Sequence, residues 1–258
     1  MIDINNSKHK RIFCFGCSFT HGHGSWAELL KRHFGDYPRE DSYIPSDQMH
    51  LQRVHNFGKA GAGNYYIFNT IVEKSLEYNF TKDDLVLIEW SGVLREDRFK
   101  DGKWHCRGNV TNNDLYSPAV VRDWFLDVEG MMKRDYSYIH AIQKMLTADN
   151  IDYEMFSMSG VSRNDPANCE IKGREAKAID SLVTLYKTTL DSLHSSMFKI
   201  IWGDENTWPG YRTVMGQKES NDVHPFPIEH LYYLETVFNF KPSDELRTYV
   251  DNITRELL

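Results

Sequence analysis

Three residues near opposite ends of this chain have the types that nucleophilic acyl chemistry needs. Ser18 closes the run Arg11-Ile-Phe-Cys-Phe-Gly-Cys-Ser18, in which a short apolar stretch stops at Gly16 and presents a hydroxyl. Far downstream, Asn221-Asp-Val-His-Pro225 offers a carboxylate, Asp222, and an imidazole, His224. A serine hydroxyl is a poor nucleophile until a base takes its proton, and histidine suits that task near neutral pH. A neighbouring carboxylate fixes the imidazole tautomer and stabilises the imidazolium. The plainer reading is that Ser18 caps a turn and that residues 222–225 form a polar loop before a helix.

Acyl transfer also needs donors for a developing oxyanion. The turn Gly58-Lys-Ala-Gly-Ala-Gly-Asn64 suits this, because glycines let backbone N–H groups approach a ligand closely and Asn64 carries an amide. Gly61 and Asn64 are the candidate donors. The same turn also reads as a strand-to-helix connection capped by Asn64. As a phosphate cradle it has neither the dinucleotide glycine spacing nor a following lysine–Ser/Thr pair.

Trp90, Ser91, Arg95 and His23 are candidate substrate contacts, with sheet-edge packing the alternative for Trp90 and a solvated loop for Arg95. His23 belongs to His21-Gly-His23, which could line a site or take a metal. His230 reads as a packing or capping residue. Cys14-Phe-Gly-Cys17 has half-site spacing for zinc or redox work, but Cys106 and Cys169 stand alone, so no metal is assigned.

Strand-like and helical patterns alternate along the elements that must position these groups. Strands are predicted at 11–15, 53–57, 85–90, 151–158 and 198–202, and helices at 26–34, 65–78, 136–147, 174–194, 227–238 and 243–257. Residues 85–90 form a continuous apolar run broken only by Glu89, as expected of a central strand covered on both faces. Residues 91–135 read as an insertion carrying Trp104, Tyr116, Trp124 and Phe125. The alternation predicts an α/β protein with a mainly parallel five-stranded sheet and helices on both faces. Sites in such sheets form at the C-terminal strand ends, where Ser18, the 58–64 turn and Ser91 all fall.

The net charge of −7 and scattered basic residues disfavour a nucleic-acid partner. No apolar stretch is long enough for a signal peptide or membrane span, so the expected location is the cytoplasm, with reduced cysteines.

The chain resembles the SGNH, or GDSL, hydrolases. Gly16-Cys-Ser-Phe-Thr20 after a strand is similar to their first block, in the form found in bacterial and phage genomes. Asn56-Phe-Gly-Lys-Ala-Gly61 resembles the second block, whose glycine gives an oxyanion N–H, and Asp222-Val-His-Pro225 the last block with its acid and base. The resemblance implies one flavodoxin-like α/β/α three-layer domain over 1–258. It also implies ester or thioester hydrolysis through an acyl-enzyme on Ser18, without a cofactor, on a small-molecule or glycan ester such as an O-acetyl group. Two positions depart from the pattern. The strand matching the third block ends Glu89-Trp-Ser-Gly-Val93 and lacks the oxyanion asparagine, for which Asn64 or Ser91 would substitute. Acid and base are spaced Asp-x-His where the family uses Asp-x-x-His. The alternatives are a catalytically degenerate binding or assembly protein on the same scaffold, a nucleotide- or phosphate-handling enzyme using the 58–64 turn, and a redox protein using Cys14 and Cys17.

Overall fold

The computed structural model describes residues 4–5, 8–36, 52–112, 115–161, 174–203 and 224–257. The elements run β1 (Arg11–Phe15), α1 (Ser18–His21), α2 (Trp26–His33), β2 (Val54–Asn56), α3 (Asn64–Tyr78), β3 (Asp84–Trp90), β4 (Arg95–Lys100) and β5 (Lys103–Asn109). There follow α4 (Pro118–Val120), α5 (Val128–Ala148), β6 (Asp152–Ser157), α6 (Arg174–Leu185), α7 (Lys187–Leu190), α8 (Met197–Trp202), α9 (Pro227–Phe238) and α10 (Asp244–Leu257). The fold is α/β. Strands β2, β1, β3 and β6 form a parallel sheet in that order, with Cys14 beside Leu87 and Glu89 beside Phe156.

The two-residue period of the strands builds two cores from one sheet. Ile12, Cys14, Leu85 and Leu87 face Trp26 and Leu30 of α2, Leu231 and Leu234 of α9 and Val250 of α10. Phe13, Phe15, Val86 and Ile88 face Ile67 and Ile71 of α3, Tyr136 and Ile139 of α5 and Ile179 of α6. Burial of both faces explains the apolar run Leu85–Ile88 of β3. Glu89 falls on the Leu85–Leu87 face and is wholly buried. At the other end of the sheet, Arg11 grips buried Asp84 through Nε–Oδ1 at 2.8 Å and Nη2–Oδ2 at 2.7 Å, tying the start of β1 to that of β3.

The described sheet has four strands, not five. Residues 198–202, expected as a strand, lie in helix α8. Ser196 caps it by accepting from the Lys199 N–H at 3.2 Å, and Gly203, with φ +84°, ends it. The buried residues Met197, Phe198, Ile201 and Trp202 have helical spacing, which a five-residue apolar run could not reveal. Helix α5 begins at Val128, earlier than expected, with Asp127 accepting from the Gly130 N–H at 3.0 Å. The expected insertion contains the antiparallel hairpin β4–β5. No described helix is long and apolar enough to cross a membrane.

Candidate active site

Ser18 is the first residue of α1, immediately past β1, with Cys17 as N-cap. Thr20 and His21 both donate their N–H groups to Cys17 O, at 3.1 and 3.0 Å, which closes a tight turn around the serine. Ser18 is half-buried, and its hydroxyl lies 3.9 Å from the Cys17 sulfur. Among the described residues its backbone N–H is donated to no protein acceptor.

The loop after β2 docks on this turn, with Lys59 N donating to Gly16 O at 3.1 Å. Gly61 there has φ +73°, and a Cβ would lie 2.9 Å from Cys106 O, so the site requires glycine on two counts. Its carbonyl accepts from Gly108 N at 2.9 Å, while its N–H has no described acceptor. Asp97 of β4, wholly buried, accepts from Gly63 N at 3.0 Å and Tyr66 N at 2.9 Å and so caps α3. Burial raises the Asp97 carboxyl, against the pull of these N–H groups.

The described part of the late segment reaches the same place. His224 is exposed, and its ring lies 5.3 Å from that of Phe19, the residue after Ser18. His230 approaches the same Phe19 ring at 6.3 Å, but is buried and lowered to about 3, first by burial and then by His224. It is thus a neutral packing group beside an exposed imidazole. Asp222 lies outside the described residues, as does Cys169.

Asn64 is corrected in placement. It is 2% exposed, and its amide donates to Ser91 O at 3.1 Å and Asp135 Oδ2 at 2.8 Å, while its Oδ1 accepts from Ser91 N at 2.8 Å. With both hydrogens engaged, this amide clamps the end of β3 and has none to offer an oxyanion. Burial, opposed by Arg134 and by the Asn64 bond, raises Asp135 to about 6. Ser91 is buried, and its Oγ has no described partner. Trp90 is wholly buried in the α3–α5 core, which removes it from substrate contact. Arg95 donates from Nη1 to Ala62 O at 2.9 Å, next to Gly61, and its Nη2 lies 3.6 Å from Met158 Sδ. His23 meets Tyr249 of α10 at 3.3 Å, and His21 Nδ1 meets Gly58 O at 3.0 Å. Cys14 and Cys17 are buried free thiols. Burial and then Glu89 push Cys17 up to about 12, far from a reactive thiolate.

One group went unrecognised in the sequence. Glu89 accepts from Cys17 Sγ at 3.2 Å and, through a short bond, from Thr20 Oγ1, so its carboxyl lies directly beneath the Ser18 turn. The signal was its place as the lone charge within the otherwise apolar run 85–90 of a buried strand.

No protein-family model and no curated protein matches the chain. Solved structures do match along most of its length. An acylhydrolase candidate from Bacteroides fragilis matches at 14% identity over 98% of this chain and 88% of its own, with a TM-score of 0.39. A candidate lipolytic protein of the G-D-S-L family from Desulfitobacterium hafniense matches at 11% identity over 89% of this chain and 100% of its own, with a TM-score of 0.41. The psychrotrophic esterase EstA of a Pseudoalteromonas species, inhibited by monoethylphosphonate, matches at 14% identity over 96% and 98%, with a TM-score of 0.42. At such scores the likeness is too loose to carry chemistry from those proteins to this chain.

Proposed function

We propose that the chain is a serine hydrolase of the SGNH type, acting on carboxylic esters of small molecules or glycans. Ser18 attacks the acyl carbon while His224 takes the hydroxyl proton. His224 then returns that proton to the leaving alkoxide as the tetrahedral adduct collapses. Water, deprotonated by the same imidazole, releases the acid from the acyl-enzyme. Asp222 orients the imidazole. The oxyanion donors are the backbone N–H groups of Ser18 and Gly61, which have no described protein acceptor. Asn64 supports the end of β3 instead. Arg95, which donates to Ala62 O beside Gly61, is assigned to meet an anionic substituent on the substrate.

The observation that carries this reading is the packing of the exposed His224 ring on Phe19, one residue from Ser18 at the end of β1. The test is labelling with a fluorophosphonate, which reacts with an activated serine. The expected result is a single adduct on Ser18, absent in Ser18→Ala and His224→Ala, with turnover of short aryl esters lost in parallel. An unlabelled, inactive but folded wild-type protein would favour a binding protein on this scaffold.

A further inference from the structure

Beneath the serine lies a buried acid that the proposed chemistry does not use. Glu89 is 0% exposed, and its two oxygens reach residues on either side of Ser18: Cys17, whose thiol donates at 3.2 Å, and Thr20, whose hydroxyl donates through a short bond. The Trp26 indole N–H donates to Thr20 Oγ1 at 3.1 Å, so Thr20 is itself fixed from α2. Gly16 completes the arrangement, since a Cβ there would lie 2.7 Å from Glu89 Oε2. The relay Trp26–Thr20 and the Cys17 thiol converge as donors on Glu89, a group that can only accept when ionised.

We propose that Glu89 is a positioning residue whose carboxylate holds Cys17 and Thr20, and thereby sets the direction of the Ser18 hydroxyl and backbone N–H. This rests on the reading of Ser18 as nucleophile. The titratable and charged groups around Glu89 are Cys17 on the serine turn, Arg95 on β4 and Tyr233 on α9, while Trp26 and Thr20 contribute hydrogen bonds. Burial raises the carboxyl to about 7; Thr20, Cys17, Arg95 and Trp26 hold it from rising further. Below that pH a proton on the carboxyl competes with the two donors and the turn loosens. Above it the turn is fixed.

The experiment measures the rate of fluorophosphonate labelling at Ser18, with the pH profile of aryl-ester kcat/KM, in wild type, Glu89→Gln and Thr20→Val. The acid limb of wild type should be one proton steeper than that of Glu89→Gln, the difference being the proton on Glu89. In Glu89→Gln labelling at pH 8 should slow by roughly ten- to a hundredfold, as expected of a misplaced reacting group. A purely structural role would change amplitude without changing the number of protons. Thr20→Val, which leaves the acid in place, should also slow labelling and serves if Glu89→Gln fails to fold. Normal labelling of wild type with an unchanged rate and profile in both variants overturns the Glu89 role and leaves the nucleophile assignment standing. Absence of labelling in wild type overturns the nucleophile assignment and, with it, the positioning role.

Discussion

Replacing Asn64 by alanine separates two roles that the same amide could play. As a clamp, Asn64 makes three buried hydrogen bonds, two with the Ser91 backbone and one with Asp135. Each contributes roughly 0.5–1.5 kcal/mol, and a stranded buried N–H such as that of Ser91 costs about 1–3 kcal/mol more. Asn64→Ala should therefore lose at least about 2.5 kcal/mol, a large share of the roughly 5–15 kcal/mol typical of a domain. Urea unfolding followed by intrinsic fluorescence reads this as a lower midpoint with an unchanged slope. At low temperature the surviving folded protein should still label at Ser18, because the proposed oxyanion donors are backbone groups elsewhere. A loss below about 1 kcal/mol, together with the roughly 10²–10³-fold fall in kcat that removal of an oxyanion donor brings, would refute the clamp and return Asn64 to the oxyanion.

Other expectations follow from the same geometry. Glu89 has a folded-state pKa of about 7 against an ordinary 4.5, so the folded protein holds the proton more tightly and stability falls as pH rises through this window. Between pH 5 and 8 this loss amounts to roughly 2.5 kcal/mol at ~1.4 kcal/mol per unit. It should disappear in Glu89→Gln when unfolding is measured at both pH values, and parallel curves for the two proteins would contradict it. Asp97→Ala removes the acceptor for Gly63 and Tyr66 N–H and should cost about 1–2 kcal/mol, read by thermal melting. Gly61→Ala brings a Cβ to 2.9 Å from Cys106 O at a φ of +73° and should slow acylation sharply. Gly102→Ala, with a similar φ but nothing near its Cβ, should leave the ester-hydrolysis rate unchanged and serves as its control.

The central strand and most helices were legible because burial on both sheet faces leaves a plain hydrophobic signature. The elements that escaped share a cause. The run 197–202 is apolar enough for either period, and only Ser196 and Gly203, a cap and a left-handed stop, distinguish a helix. The start of α5 carries Glu129, Lys133 and Arg134, which obscure its buried stripe of Met132, Tyr136 and Ile139. In the candidate site, the placement of Ser18 just past β1 and of the glycine turn just past β2 could be read because backbone geometry limits which residues fit there. Asn64 and Glu89 could not, since their roles depend on what lies opposite them across the fold. The sequence identifies Asn64 as an amide at a helix start, but not the Ser91 backbone that absorbs it. It likewise identifies Glu89 as an interruption in β3, but not the Thr20 and Cys17 that make it welcome there.

The β4–β5 hairpin is fastened at its base and unencumbered at its tip. At the base, Asp97 holds the start of α3, Gly108 N donates to Gly61 O at 2.9 Å, and the Arg134 guanidinium bridges Glu96 and Asp135. At the tip, Asp101 and Gly102 turn with positive φ, and a Cβ at Gly102 would meet nothing within 4 Å. The hairpin thus runs from the glycine turn to an end that stands clear of its neighbours. A spin label or fluorophore carried at Gly102 would report on the hairpin from a position where the attachment point meets no neighbouring atom within 4 Å.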